Sequence, residues 1–212
     1  MSSRRRKRFS LYLYKHIAPQ YSDAFCAAEL IQIARLSHYR AMEGDRGDPS
    51  EGLQANILDG RVTYGMPEAD RLRRAGLIDI QGPNGGVYMS NTLNVDEAPD
   101  LYILCVSERP NLAYAKRAGL NIVRVHIGEL VTGIVDENPD LIDAFVSHVD
   151  YDKELGSLRD VLKKADPFCK PSRFRWEEEI RVIFGAGTGG ATRLVKGRAS
   201  SKHSIFYRHT EG

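Results

Sequence analysis

The chain has 212 residues, of which 42% are hydrophobic and 27% are charged, and its formal net charge is +2. This composition is typical of a folded globular domain and excludes collagen-like, low-complexity and disulfide-scaffold chains. The sequence shows neither an apolar run of membrane-spanning length nor a signal peptide, so we expect a cytoplasmic protein with no membrane partner.

The cysteines and histidines show no metal-binding pattern. Cys26, Cys105 and Cys169 are widely spaced, and the sequence contains no Cys-x-x-Cys pair and no His-Glu-x-x-His pattern. An odd number of isolated cysteines is typical of free thiols in a reducing compartment. We therefore expect no structural or catalytic zinc and assign no metal-binding residue.

Basic residues are concentrated at the two ends of the chain. Residues 4–8 are all Arg or Lys, and five more basic residues lie between positions 193 and 208. We expect residues 1–8 to form a flexible basic tail and residues 9–212 a single catalytic domain. Basic ends attract nucleic acid through contacts with phosphates. A solubilising tail without a partner is the alternative for residues 1–8.

The first half of the chain mixes strand and helix patterns. Residues 9–15 alternate as a strand does, and apolar residues at helical spacing predict a helix over 22–35. Residues 38–52 are rich in Gly, Asp and Arg, which favours a functional loop. A short strand at 61–64 and a helix at 67–75, with proline at its start and glycine after its end, follow.

The second half continues without regular alternation. Residues 78–81 and 87–90 flank a Gly-Pro-Asn-Gly-Gly turn and predict a hairpin. Strands are predicted at 101–107 and 121–127, with a helix at 110–119 between them, and further helices at 138–148 and 155–164. The irregular order of strands and helices favours an α+β fold over a doubly wound parallel fold.

Three consecutive carboxylates lie within a strand-like run near the C-terminal end, at residues 174–184. In a strand, side chains alternate between faces, which places Phe174, Trp176, Ile180 and Val182 on one face. The other face then carries Arg175, Glu177, Glu179 and Arg181. Such charges must be solvated, paired with each other or used in chemistry. The alternative to a functional site is therefore a salt-bridged strand that faces solvent. Glu178 falls on the apolar face, which is typical of a β-bulge.

The segment at residues 185–190 matches the Gly-x-Gly-x-x-Gly pattern of dinucleotide-binding loops. The residues after it alternate as another strand rather than a helix, and too little chain remains for a nucleotide-binding βαβ unit. We therefore predict a glycine hairpin.

Side chains at the ends of three strands have a recognisable order. Lys15 and His16 end the first strand, Ser107 ends a middle strand, and Glu177-x-Glu179 lies on the late strand. This order resembles the His/Arg, Ser/Thr, Glu triad of the ADP-ribosyltransferase superfamily. The resemblance implies an ADP-ribosyltransferase-like α+β fold, with two small mixed sheets and short flanking helices, and NAD as a substrate.

The chain also resembles an uncharacterised bacterial family that has a Leu-Tyr-Lys-Tyr opening, an Asp-Pro-x-Glu loop and a Cys-x-Ser strand end. Here these are matched by residues 13–16, where His16 departs from the usual aromatic residue, then by 48–51 and 105–107. The closing block of that family is the most specific part. It is matched by Lys170, Pro171, Phe174, Trp176, Glu177, Glu179 and Arg181.

The resemblances imply a role for each candidate residue. Glu179 would hydrogen-bond the ribose beside an oxocarbenium-like centre, and Glu177 would orient or deprotonate the acceptor. His16 or Lys15 would hold the adenosine ribose or a phosphate, with Ser107 in support. The remaining implied roles are a pyrophosphate clamp by Arg46, pairing of Arg181 with Glu179, and stacking on the nicotinamide by Tyr14, Tyr64 or Trp176.

Structural alternatives exist for several of these residues. His16 at a strand end is often a plain surface residue, and Ser107 could be the N-cap of the helix that follows it. Trp176 shares its predicted face with apolar residues, which favours a place in the core. Arg46 in a polar loop is ordinarily solvated.

The function expected from the resemblances is an NAD-dependent ADP-ribosyltransferase that acts as a toxin or phage-defence effector. RNA or single-stranded DNA is favoured over protein as the acceptor, and a neutralising antitoxin is a further expected partner. Two alternatives stay open. One is a nucleotide- or nucleic-acid-binding protein without chemistry, and the other is a metal-dependent nuclease that uses Asp48, Glu51, Glu177 and Glu179.

Overall fold

The computed structural model describes residues 11–42, 53–151 and 165–210, apart from residues 75, 77, 186 and 188. Within these ranges, no helix is long and apolar enough to pass through a bilayer. The strands are β1 (Tyr12–Ile17), β2 (Ile31–Arg35), β3 (Leu53–Thr63), β4 (Gly86–Glu97), β5 (Tyr102–Ser107), β6 (Asn121–His126), β7 (Phe145–His148), β8 (Glu179–Phe184), β9 (Thr192–Val195) and β10 (Ser204–Tyr207). The α-helices are α1 (Ser22–Cys26), α2 (Leu36–Ala41), α3 (Pro67–Arg74), α4 (Leu112–Ala118) and α5 (Ile127–Glu137), and 3-10 helices lie at Pro19–Tyr21 and Ser172–Glu177.

The main body is built on one eight-stranded antiparallel sheet that divides at β5. β8 pairs with β5 along its whole length, from Tyr102 to Ser107. β1 pairs with β5 at Ser107, whereas β2 pairs with β5 at Tyr102 and Ile103. Because β8 takes one edge of β5, β1 and β2 share the other edge and leave a gap between them. The β1–β6–β10 and β2–β9 branches extend on either side of this gap.

The two faces of the sheet differ in chemistry because side chains alternate along each strand. One face packs against α1 and α5, and burial of its large apolar side chains stabilises the fold by about 1.5–3 kcal/mol each. Its buried residues include Leu13, Leu104, Val106, Ile180 and Val182, packed with Phe25, Leu130 and Ile134. The opposite face carries the polar residues Ser107, Glu179 and Arg181. We call this second face the polar face.

β3 and β4 form a long hairpin that is a sheet of its own. β3 and β4 pair from Leu53 and Glu97 to Thr63 and Gly86, and the register shifts near Gly60. α3 lies in the connection between β3 and β4, packs against these strands and forms a separate hydrophobic cluster with them. That cluster consists of Val62, Ala69, Leu72 and Met89. We call β3, α3 and β4 together the arm.

The expected α+β class is confirmed, but the two small mixed sheets are not. The structure has one large antiparallel sheet and the two-stranded arm. The strands expected at 101–107 and 121–127 are confirmed as β5 and β6. The helices expected at 67–75 and 110–119 are confirmed as α3 and α4.

Three other expectations are wrong. The helix expected over 22–35 ends at Cys26, because Ala28 adopts a left-handed φ of 56° and the alternating residues of β2 pair in the sheet. Residues 87–90 pair with β3 rather than with 78–81. The helix expected at 138–148 is replaced by β7, and α5 precedes it at Ile127–Glu137.

The glycine hairpin is also wrong, because β8 pairs with β5 and β7 whereas β9 pairs with β2. β8 and β9, which follow each other along the chain, are therefore not neighbours in the sheet. The helix expected at 155–164, the basic tail at 1–8 and the loop residues Arg46, Asp48 and Glu51 lie outside the described residues.

Candidate functional site

A cavity of about 820 Å³ lies on the polar face, where the sheet divides. This volume is within the range of small-molecule sites, roughly 300–1,000 Å³. β1, β2, β5 and β8 contribute to its walls, together with α2, α4 and the 3-10 helix at Ser172–Glu177. The lining includes Tyr14, His16, Cys105, Ser107, Tyr114, Lys170, Trp176, Glu177 and Glu179.

The strand register places three of the sequence-predicted positions in one row. Tyr14 of β1 lies opposite Ser107 of β5, and Ser107 lies opposite Glu179 of β8. Residues directly opposite in antiparallel strands share a face, so these three side chains are neighbours. His16 lies two residues further along β1 on the same face and lines the same cavity. The structure thus brings together His16, Ser107 and Glu179.

The expected strand at 174–184 begins only at Glu179. The preceding Ser172–Glu177 segment is a 3-10 helix, and Glu178 ends it in the left-handed conformation with φ 44°, not in a β-bulge. Because side chains three residues apart eclipse in a 3-10 helix, Phe174 and Trp176 point in different directions. Phe174 is buried, whereas Trp176 is 42% exposed and lines the cavity. The expected core position of Trp176 is therefore wrong.

Lys170 lies between the two glutamates. Its Nζ atom donates to Glu177 Oε2 at 2.6 Å and to Glu179 Oε2 at 2.7 Å. Arg181 Nε donates to Glu179 Oε1 at 2.8 Å, as expected from the sequence. The side chain of Glu179 is 5% exposed and that of Glu177 18%. Glu177 is thus the carboxylate with more access to the cavity.

The pKa values of the two carboxylates shift in opposite directions. Burial opposes ionisation of Glu179, but Arg181 and Lys170 outweigh burial and hold its pKa well below the usual range. Burial raises the pKa of Glu177 to about 7, and the charge of Glu179 adds to this effect, although Lys170 opposes it. Glu179 is therefore a fixed anion at neutral pH, whereas Glu177 titrates near neutrality.

Lys15 and Cys105 lie at the gap in the sheet. Lys15 Nζ donates to the backbone carbonyl of Cys105 at 2.8 Å, a carbonyl on the edge of β5 that the sheet leaves open between β1 and β2. This contact satisfies a backbone acceptor that would otherwise be costly to bury. Burial raises the pKa of the Cys105 thiol to about 12, so the thiol stays protonated and is a poor nucleophile.

His16 connects the cavity to α4. His16 Nε2 accepts a hydrogen bond from the Asn111 backbone N–H at 3.1 Å, so in the neutral ring Nδ1 carries the proton. Burial lowers the pKa of His16, and the charge of Lys15 adds to this effect. The His16 ring packs edge-on against Tyr114, at 5.7 Å between centroids, and Tyr114 packs against Trp176 at 5.3 Å. His16 is therefore not a plain surface residue.

Ser107 is buried, and its Oγ donates to the Tyr14 carbonyl at 3.2 Å. The N-cap of α4 is Asn111, whose Oδ1 accepts from the Tyr114 N–H at 2.9 Å. The N-cap interpretation of Ser107 is therefore wrong. Tyr64, the third stacking candidate, lies between β3 and α3 and is not among the residues that line the cavity.

Lys170, Tyr114 and Asn111 are cavity residues to which sequence reasoning assigned no role. Lys170 belongs to the Lys-Pro-x-x-Phe block, which was a signal for its importance but not for its partners. Tyr114 and Asn111 carry no sequence signal, because only the packing of α4 against β1 brings them to the cavity.

Comparisons with protein families, with curated proteins and with solved structures find no match to this chain.

Proposed function

We propose that the protein is an NAD-dependent ADP-ribosyltransferase that works in the cavity where the sheet divides. The observation that carries the proposal is Glu177, a carboxylate at the cavity wall whose pKa is raised to about 7, beside the row of Tyr14, Ser107 and Glu179. Perturbed carboxylates in a cavity of ligand size are candidates for acid–base chemistry.

The proposed reaction breaks the bond between the nicotinamide nitrogen and ribose C1′. The bonding electron pair leaves with nicotinamide, and positive charge develops on the ribose ring. Fixed negative charge nearby stabilises this state. As this bond breaks, the acceptor forms a bond to C1′ with its lone pair, and in the same step its proton passes to Glu177. A pKa near the working pH is the most effective one for such a base.

Glu179 is assigned a positioning role in this scheme. It lies beneath Lys170 and is held by Arg181, so it fixes the ammonium group that contacts Glu177. Movement of Lys170 would be needed before Glu179 contacts a ribose hydroxyl, the role that the sequence resemblance implies. His16, neutral and with its proton on Nδ1, is assigned to the cofactor, and Tyr14 and Trp176 offer ring surfaces at the cavity wall.

A second candidate is a nucleotide-binding protein without chemistry. Ion pairing of Glu177 with Lys170 favours this alternative, because a paired carboxylate is a weaker base than a free one. The nuclease alternative is disfavoured by the same lysine. Its ammonium group lies within 2.7 Å of both carboxylates, at the position where a shared metal ion would have to bind.

The test is nicotinamide release from labelled NAD by the wild type and by Glu177→Gln. Removal of a general base costs about 100- to 10,000-fold in rate, so we expect a loss of about 100-fold or more while NAD still binds in calorimetry. Glu178→Gln is the matched control. Glu178 is the neighbouring carboxylate, is exposed and pairs with Arg109, so its variant should keep the wild-type rate within about twofold.

Three outcomes decide between the candidates. NAD binding without any nicotinamide release by the wild type supports the binding protein. Nucleic-acid cleavage that chelation of divalent cations abolishes supports the nuclease. Equal nicotinamide release by the wild type and Glu177→Gln removes Glu177 from the reaction.

A further inference from the structure

An aromatic ladder leads from the inside of the cavity to the molecular surface. It runs from His16 to Tyr114 and then to Trp176, with ring centroids 5.7 Å and 5.3 Å apart. Trp176 at the outer end is 42% exposed and directly precedes Glu177 in sequence. Trp176 therefore offers an exposed indole face beside the cavity, on which a planar group of a ligand can stack.

Two arginine side chains lie close to this group of aromatic residues. Arg117, one helical turn after Tyr114 on α4, places its guanidinium 5.9 Å from the Tyr114 ring centroid. In the described part of the chain, no carboxylate pairs with Arg117. Arg109 is 77% exposed and makes a long contact, 3.7 Å, with Glu178 next to the 3-10 helix. We call Arg109, Tyr114, Arg117 and Trp176 the aromatic rim.

Single-stranded nucleic acid has the chemistry that the aromatic rim fits. Unpaired bases stack on aromatic rings with little sequence preference, and arginines contact the phosphates between them. A duplex keeps its bases stacked inside and offers no base face to an indole. Protein interfaces are also enriched in aromatic residues and arginine, so failure of both oligonucleotides to bind is the result that favours a protein partner.

We propose that the aromatic rim binds single-stranded RNA or DNA, with a base stacked on Trp176 and the flanking phosphates on Arg117 and Arg109. The strand then delivers a nucleotide into the cavity beside Glu177. This inference deepens the proposed function and rests on it for the fate of the bound strand, but the binding itself needs no NAD. The test therefore measures binding in the absence of NAD.

The chain provides its own probe, because Trp176 is its single tryptophan. Oligouridylate and oligothymidylate of about 12 nucleotides, a length within the site sizes of single-strand binders, are titrated into the wild type. We expect saturable quenching of the tryptophan emission by one or both, and none by a duplex of equal length. The RNA and DNA arms identify the preferred strand.

Variants give an independent readout by anisotropy of the labelled oligonucleotide. Trp176→Ala should weaken binding about tenfold, whereas Trp176→Phe keeps a ring and should stay within about threefold. Arg117→Gln should lower the slope of log affinity against log salt by about 0.7. Tyr88→Ala and Arg198→Gln are the controls, since both residues are exposed, neither lines the cavity, and neither change should matter.

Several results would overturn the inference. They are equal affinity of the wild type and Trp176→Ala, preference for the duplex, and quenching by NAD but not by either oligonucleotide. Failure of the proposed function has a different signature. In that case the oligonucleotide quenches Trp176 and its affinity depends on Arg117, yet no nicotinamide is released.

Discussion

Glu177 lies where burial opposes its ionisation, and this has a consequence for stability. Its pKa in the folded protein is about 7, above the ordinary value of 4.5. The folded state therefore binds this proton more tightly than the unfolded state does. By linkage, the contribution of Glu177 to the free energy of unfolding is full below about pH 4.5 and is lost as pH rises through 7.

The corresponding prediction concerns Glu177→Gln. Relative to the wild type, the free energy of unfolding of this variant should improve by about 1–3 kcal/mol between pH 5 and pH 8, because glutamine does not ionise. Urea unfolding of both proteins at the two pH values measures this difference. Comparing the two proteins cancels the opposite contributions of His16 and His203, whose pKa values burial lowers. A difference that is the same at both pH values would contradict the assignment.

The same residue sets the expected pH dependence of the proposed reaction. If Glu177 accepts the proton of the acceptor, the rate should rise with pH through about 7 and then level off, since the base must be ionised. The residual rate of Glu177→Gln should not show this rise. A wild-type rate that is flat between pH 5 and pH 8 would place the proton transfer elsewhere.

At the scale of elements, the connection from β8 to β9 contains the glycines whose spacing matches a nucleotide-binding loop. A Cβ atom on Gly185 would collide with the Ile142 carbonyl oxygen, and one on Gly187 would lie 2.8 Å from a Leu141 methyl group. The Tyr102 hydroxyl donates to the Gly190 carbonyl at 2.8 Å. Gly185 and Gly187 thus lie where neighbouring groups leave no room for a Cβ atom.

This packing predicts contrasting effects of two substitutions in one segment. Gly185→Ala must displace backbone, which typically costs about 1–3 kcal/mol. Gly190→Ala meets nothing within 4 Å and should change stability by no more than about 0.5 kcal/mol. The midpoints of urea unfolding measure both. Equal midpoints for the two variants would show that close packing is not what the glycines provide.

The elements that could be predicted from sequence are those with a clear local signal. β5 is a nearly continuous apolar run and β6 contains Ile122, Val123 and Val125. Proline starts α3, and α4 ends at Gly119 in the left-handed conformation. The missed elements depend on distant partners. The residues of β2 have a helix-compatible pattern, and their strand form is decided by pairing with β5 and β9.

In the candidate site too, some features could be predicted from the local sequence and others depend on the turn before β8. Alternation along β8 was sufficient to place Glu179 and Arg181 on one face, where they pair. The contact of Lys170 with both glutamates requires the 3-10 helix and the left-handed Glu178, and neither follows from residue spacing. The exposure of Trp176 depends on the same turn. Regular periodicity predicts strand faces, but not the chain reversals between them.

At the scale of the whole molecule, the arm and the body have separate cores. The cluster around Leu72 contains residues of the arm alone, from Val62 to Met89. The main core contains Ile180 and its neighbours on the β-sheet, and among the side chains that the structure describes it has no member from the arm. Regions with separate cores open separately, so the arm should behave as its own cooperative unit.

Hydrogen exchange of two core variants tests this separation. Leu72→Ala removes a fully buried side chain and should lower the stability of the arm by about 2–5 kcal/mol, so amides of α3 and the outer halves of β3 and β4 exchange faster. The amides of β5 and β8, and with them the cavity, should keep their wild-type protection. Ile180→Ala, an equally buried change, should instead accelerate exchange throughout the main sheet. If Leu72→Ala also exposes β5, the arm and body unfold as one unit, and the cavity depends on the arm.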